Sequence, residues 1–192
     1  TNAITLGLFG LSVAAYWLHS VGDYKKSNKK SKINDKPSNV IRPPFPQAIR
    51  TMLLRCRLAY LSTVADDAAH LSLMRFTYVN DEEDGEVIIL STQRNTKKYD
   101  HLTKQQGVAI LVHDFDQFKE GSDGIHSITL NGDCRILHGE KAERYRAKHL
   151  KHNPDYPQFI VGEGIAVLCI DVKSARICNI DDRVTKWNVD QE

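Results

Sequence analysis

From Arg57 onward the sequence is a series of short apolar runs, rich in β-branched residues and separated by polar turns. Such runs predict strands, and only a few stretches of the chain have helical spacing. The predicted order is a helix, three strands, a short helix, two strands, a longer helix and two strands. A parallel α/β sheet would alternate strands and helices strictly. This order instead predicts a mainly β, α+β fold: an antiparallel barrel with helices at its ends.

Local patterns place the individual elements. The motif A-D-D-A-A at 65–69 predicts a turn that joins two strands into a hairpin, and Gly132 predicts a bulge or corner inside a long strand. The acidic run 81–84 is interpreted as a solvated turn. The predicted strands are 57–64, 70–80, 87–92, 108–113, 125–138, 165–172 and 175–180, and the predicted helices begin at Pro46 and span 96–106 and 140–152.

The chain divides by composition into an apolar segment (1–22), a flexible basic linker (23–45) and a domain (46–192). Residues 3–21 are uncharged, and as a helix they would be about 28 Å long, close to the hydrocarbon thickness of a bilayer. The lysines that follow would face the cytosol. We therefore expect a membrane anchor with a cytosol-facing domain; the alternative is a docked or soluble segment on a cytoplasmic or nuclear protein.

Charge and cysteine content limit the partners. Residues 1–45 carry seven basic and two acidic side chains, whereas the rest of the chain has a net charge of −3. A domain without a basic surface is not expected to bind nucleic acid. The cysteines Cys56, Cys134, Cys169 and Cys178 form no C-x-x-C pair, so we expect buried thiols in a reducing compartment and no metal site.

The stretch Val87–Leu102 combines a buried strand, a polar turn and the start of a short helix. Hydroxyls at Ser91, Thr92 and Thr96, helical N–H groups and the ammonium groups of Lys97 and Lys98 suit a phosphate. The alternative is a solvated basic turn.

Three motifs in this order resemble the pyridoxamine 5′-phosphate oxidase-like family of FMN-binding split barrels. They are L-S-L-M-R-F-T-Y-V at 71–79, S-T-Q-R-N-T-K-K-Y-D-H-L at 91–102 and I-T-L-N-G-D-C-R-I-L-H-G-E at 128–140. The resemblance covers about residues 46–180. It implies an antiparallel split β-barrel, an FMN flavoprotein with oxidoreductase activity, and a homodimer with FMN at the subunit interface.

The resemblance also implies a set of cofactor contacts. Arg75 would contact the FMN phosphate or ribityl chain, Phe76 and Thr77 would lie along the flavin through main-chain groups, and Trp187 would cover its edge. Lys97 stands where the family has arginine, which loses bidentate geometry. The implied set is Arg75, Phe76, Thr77, Thr92, Lys97, Lys98, Ser127 and Trp187.

The substrate side departs from the family pattern. Asn80 stands in place of a lysine, and Tyr145 and His149 have the spacing of the tyrosine and arginine that hold a substrate phosphate. The family's C-terminal arginine-leucine-histidine-aspartate-arginine signature is absent. Because a vitamer phosphate would meet fewer positive charges, we expect FMN binding ahead of B6-vitamer oxidation. A non-catalytic flavin-binding or membrane-tethered scaffold module is the alternative.

Each assignment also has a plainer interpretation. Arg75 would pair with an acidic neighbour, Tyr145 would be a helix-packing residue, and His113, His126 and His149 would be surface or capping histidines. A different cofactor in the same barrel, a deazaflavin or haem, is the remaining alternative. Haem would need an axial histidine, for which His126 is the candidate.

Overall fold

The structure is a computed structural model that describes residues 44–114, 125–179 and 181–190. The helices are α1 (Gln47–Arg55), α2 (Lys97–Lys104) and α3 (Gly139–His152), with a 3₁₀ turn at Pro157–Phe159. The strands are β1 (Leu58–Ala65), β2 (Ala68–Arg75), β3 (Thr77–Asp81), β4 (Gly85–Gln93), β5 (Gly107–His113), β6 (Ile125–Leu137), β7 (Ile165–Asn179) and β8 (Val184–Asn188).

The predicted anchor at 3–21 and the linker up to residue 43 lie outside the described residues. In the part of the chain that is described, no helix is long and apolar enough to cross a bilayer.

The eight strands form one antiparallel sheet in the order β2-β1-β5-β6-β7-β4-β3, with β8 paired to β7. This confirms the antiparallel split barrel of the α+β class. The predicted hairpin is present, because β1 and β2 pair from Leu58 opposite Arg75 to Ala65 opposite Ala68. Its two-residue turn places Asp66 and Asp67 at φ of 51° and 58°, values that aspartate tolerates better than most residues.

The prediction of one strand from His70 to Asn80 is wrong, because the chain changes partners at Phe76. Strand β2 pairs with β1, and β3 pairs with β4 at the opposite edge of the sheet. Between them the Phe76 side chain turns into the core, where it is 1% exposed, and its N–H donates to the Arg57 carbonyl (3.3 Å). The consequence is a break in the sheet directly after Arg75.

The predicted division of the last strands is also wrong. Strand β7 is one fifteen-residue element that pairs with β6 along its length, with β4 through its first half and with β8 through its second half. Strand β8 was absent from the sequence-based order.

Gly132 marks the predicted bulge. The register of β6 against β7 shifts between Asn131 and Gly132. A Cβ atom at Gly132 would lie 2.2 Å from the Asp171 carbonyl oxygen, a distance that no side chain permits. Glycine is therefore required at this contact between the two long strands.

The core has two layers that share strand β4. Ile88 and Leu90 pack inside the barrel with α1, whereas Val87 and Ile89 face a second cluster beneath α3. This explains why the run V-I-I-L is apolar at every position rather than alternating.

The acidic turn after β3 is not simply solvated, which corrects the sequence interpretation. Asp84 accepts hydrogen bonds from the Tyr145 hydroxyl and from Lys141 (2.8 Å), and Asp81 pairs with Lys148 (2.5 Å). Although burial alone would raise it, the bond from Lys148 and two backbone N–H groups lower the pKa of Asp81 to about 2. The turn therefore fastens α3 to the sheet.

Candidate functional site

A cleft of about 420 Å³ opens where β2 ends, beside the end of β4 and the start of α2. Its fourth side is the segment Tyr156–Ile160, which follows α3. Four residues of the sequence-predicted site line this cleft: Arg75, Thr92, Lys98 and His149. The break at Phe76 and the strand-turn-helix after β4 thus bring distant parts of the sequence to one place.

Arg75 is the last residue of β2 and is half-buried at the cleft wall. The contact found for its guanidinium is aromatic rather than acidic: its central carbon lies 3.4 Å from the centroid of the Tyr156 ring. Stacking of this kind leaves the edge of the guanidinium plane available for hydrogen bonds, because the ring occupies its face. The Tyr156 ring thus positions Arg75, and the N–H groups of its guanidinium remain available to a ligand.

Lys98 lies in the first turn of α2 and is also half-buried. Burial lowers the pKa of its ammonium group, and no carboxylate of the described chain offsets that effect. No described residue that lines the cleft carries a carboxylate. A desolvated ammonium without a partner anion is unfavourable, so this position favours the binding of an anion.

The start of α2 adds hydrogen-bond donors. The first intrahelical bond runs from the Asp100 N–H to the Thr96 carbonyl (3.1 Å), so the N–H groups of Lys97, Lys98 and Tyr99 precede the helical ladder. The Thr96 side chain makes no capping bond to them, and its hydroxyl donates to the Gln93 carbonyl (2.7 Å). The Thr92 hydroxyl lies 3.1 Å from that of Thr96. The N–H groups of the helix start, the hydroxyls of Thr92 and Thr96, and the cations of the cleft lining, Arg75 and Lys98, together suit a phosphate.

The apolar wall of the cleft was not found from the sequence. Tyr156, Phe159 and Ile160 line it, although the Phe159 side chain stays 57% exposed. The Ser91 hydroxyl donates to the Phe159 carbonyl (2.7 Å), and the Arg146 guanidinium donates to the Ile160 and Ile165 carbonyls. The available signal was the aromatic-rich D-Y-P-Q-F-I-V at 155–161, directly after a charged helix.

His149 is an interior residue, so its interpretation as a surface or capping histidine is wrong. It is 1% exposed, and its Nδ1 lies 2.8 Å from the Thr77 hydroxyl. Burial, and secondarily the charge of His152, lower the pKa of His149 to about 4. The ring is therefore uncharged at neutral pH.

The other predicted cofactor residues lie outside the cleft lining. Lys97 is exposed, Phe76 is in the core, and Thr77 is buried beneath His149 with its backbone paired to Ile89. Ser127 pairs with His113 and Cys178 on another part of the sheet, and Trp187 packs edge-on against Phe45 (5.2 Å between ring centroids). Their roles toward a flavin remain sequence-based predictions.

The two other predicted substrate residues are also elsewhere. Asn80 is exposed on β3 opposite Glu86. Tyr145 is 0% exposed, and burial together with the bond to Asp84 raises the pKa of its hydroxyl. Tyr145 therefore packs in the core beneath α3, as its interpretation as a helix-packing residue predicts.

The chemistry of this cleft is anion binding next to an apolar wall. Among the described residues no group of three or more histidine, cysteine or carboxylate side chains could hold a metal ion. Cys134 and Cys169 lie on opposite faces of the sheet, and burial raises the pKa of each thiol to about 12, so neither is a ready nucleophile.

Comparison with known proteins agrees with the architecture. A Schizosaccharomyces pombe protein described as a pyridoxamine 5′-phosphate oxidase homolog is 32% identical over 172 residues, which are 75% of this chain and 90% of the relative. Among solved structures, a haem binding protein from Mycobacterium smegmatis matches with a TM-score of 0.64 at 16% identity over 78% of this chain. This chain spans 60% of that protein's length.

A Clostridium acetobutylicum protein related to general stress protein 26, described as of the pyridoxinephosphate oxidase family, matches with a TM-score of 0.54. It is 15% identical, and the match covers 74% of this chain and 94% of that one. At these identities the two structures establish a shared fold. The pyridoxamine 5′-phosphate oxidase family model matches residues 45–179, which include every described strand of the barrel except β8. With that match and the relative at 32% identity, the chain belongs to the pyridoxamine 5′-phosphate oxidase family.

Proposed function

We propose that the cleft binds FMN, with the phosphate at Arg75, Lys98 and the start of α2, and that the protein is an FMN-dependent oxidoreductase. The supporting observation is the half-buried Lys98 ammonium in a cleft whose described lining carries no carboxylate. Membership of the pyridoxamine 5′-phosphate oxidase family, whose resemblance implies FMN, supports this choice of cofactor. Bound FMN would supply hydride transfer, whereas the chain's own residues bind and orient it.

Neighbouring lysines give a matched test of this proposal. Lys98 lines the cleft, whereas Lys97 is exposed outside it. Losing a hydrogen bond to a charged group costs roughly 1.5–3 kcal/mol, so Lys98→Ala should weaken FMN binding roughly 10- to 150-fold. Lys97→Ala should have little effect, which would refute the sequence-based assignment of Lys97 to the phosphate.

Riboflavin, which lacks the phosphate, provides the ligand control. Equilibrium dialysis or quenching of flavin fluorescence should show tight FMN binding, weaker riboflavin binding and no effect of Lys98→Ala on riboflavin. If the purified protein neither contains nor takes up FMN, or if Lys98→Ala binds FMN as well as the original chain, the proposal fails.

Haem is the second candidate, because one protein of the same fold is named a haem binding protein. Its sequence-based axial ligand, His126, has a side chain outside the described part of the structure. The visible spectrum of the purified protein separates the cofactors, since flavins and haem absorb in different bands. A Soret band would favour haem over FMN.

We also propose that two copies form a dimer around this site. Leu73 and Leu111 both lie opposite Tyr60, and with Leu71 they form an exposed apolar area on the outer face of β1, β2 and β5. Leu73 also lines the cleft. A second copy on this face would cover the exposed leucines beside the cleft. Light scattering should give a dimer, which Leu71→Glu disrupts and Leu54→Glu on α1 does not.

A further inference from the structure

His149 and its neighbours form a polar cluster that anion binding does not use. The ring is almost completely buried between α3 and β3, yet the residue also lines the cleft. Its partners Thr77 and Asn153 are 1% and 2% exposed, so neither can exchange its hydrogen bonds with solvent. The directions of these bonds therefore fix where the protons lie.

Asn153 sets the first direction. Its Nδ2 lies 3.1 Å from the His149 carbonyl oxygen, which can only accept, so this atom must be the amide nitrogen and not the amide oxygen. The same Nδ2 lies 3.1 Å from the Thr77 Oγ1. The two amide hydrogens of Asn153 are thus donated to the His149 carbonyl and to Thr77.

Thr77 sets the second direction. Because its Oγ1 accepts from Asn153, its own hydrogen is available for the His149 Nδ1 at 2.8 Å. The Asn153 Nδ2 also lies 3.3 Å from that Nδ1, which would place two donors against each other if Nδ1 carried a proton. The Nδ1 atom is therefore an acceptor, and a neutral ring then carries its proton on Nε2.

The remaining ring nitrogen has no partner in the described chain. Asn153 Oδ1 also lacks a hydrogen bond, but it is fully enclosed by the protein. The Nε2 atom of His149 is not fully enclosed in this way. Since His149 lines the cleft, Nε2 retains contact with that space. We propose that His149 presents a neutral Nε2–H to the cleft, held by Asn153 and Thr77, and that it selects an uncharged oxygen acceptor of the bound ligand rather than a second phosphate.

The identity of the ligand rests on the proposed function, whereas the proton position does not. With Arg75 and Lys98 assigned to one phosphate, this donor suits a carbonyl or hydroxyl oxygen on the rest of the ligand. A protonated Nε2 has no lone pair for iron, so the same arrangement disfavours haem ligation by His149.

Nitrogen-15 NMR of the full chain reads the proton position directly. The His149 ring signals are identified by their loss in His149→Gln, and a neutral ring protonated on Nε2 is expected near pH 7. Thr77→Ser keeps the hydroxyl donor and should keep this pattern. Thr77→Val removes the donor, so the ring should become a mixture of tautomers.

Ligand titrations test the selectivity. FMN and riboflavin should both shift the Nε2–H signal, whereas inorganic phosphate should not. Thr77→Val should weaken both flavins alike, by roughly two- to tenfold for one neutral hydrogen bond, whereas Lys98→Ala weakens FMN alone. A ring protonated on Nδ1 or on both nitrogens overturns this inference by itself. An Nε2–H ring in a protein that binds neither flavin overturns the proposed function and the selectivity with it.

Discussion

As the pH falls, the free energy of unfolding of this domain should decrease through His149 at a higher pH than the range in which the carboxylates become protonated. Burial lowers the pKa of this ring from 6.5 to about 4. As the pH falls through 6.5, the ring of the unfolded chain takes up a proton and the ring of the folded chain does not. The unfolded state then binds more protons, so the free energy of unfolding decreases with falling pH. At 1.36 kcal/mol for each pKa unit, the full loss between pH 6.5 and 4 is about 3 kcal/mol.

Urea denaturation followed by circular dichroism, at pH 7, 6, 5 and 4.5, measures this loss. His149→Gln should remove the step in this window, whatever its effect on stability at pH 7. His138→Gln, which changes an exposed histidine, should keep it. The carboxylate of Asp81 does not interfere, because its lowered pKa places its contribution between pH 4 and 2. Parallel losses in the original chain and His149→Gln would refute a buried, neutral ring.

Two further predictions concern packing away from the cleft. Tyr145→Phe removes the hydrogen bond to the Asp84 carboxylate and should therefore lower the free energy of unfolding by roughly 1.5–3 kcal/mol. The affinity for flavin should not change, and weaker FMN binding would contradict the placement of Tyr145 outside the cleft. Gly132→Ala should cost about 1–3 kcal/mol or prevent folding, because its Cβ would overlap the Asp171 carbonyl, whereas the exposed Asn131→Ala should be nearly neutral in thermal unfolding.

The parts of the fold that depend on neighbouring residues could be predicted from the sequence. The Asp66–Asp67 turn, the doubly buried run V-I-I-L and the bulge at Gly132 each have a local cause. The break at Phe76 has none, because residues 70–80 alternate as one strand would and the chain changes only its partner. Likewise Lys173 and Ser174 look like a turn, but β7 continues through them because β6 pairs with it on both sides of this point.

The same division applies to the candidate site. Thr92 and Lys98 were found because a strand, a turn and a helix start follow one another in the chain. Tyr156 and Phe159 were not, because the position of their segment depends on a bond from Ser91, which is remote in sequence, and on a bond from Arg146 on α3. Ser127 and Trp187 remain predictions, since the single chain does not bring them to its own cleft.

His149 occupies the position where the family resemblance places an arginine, and burial explains why the change alters more than one charge. An arginine carries five donors and stays ionised, so at this position it would need an anion in the cleft in addition to Thr77 and Asn153. A histidine needs one acceptor contact at Nδ1 and can lose its charge, which allows the ring to be 1% exposed. The cleft is left with Arg75 and Lys98 as its described cations. Its charge is thereby limited to what one phosphate requires, and that argues for a cofactor phosphate over a phosphorylated substrate beside it.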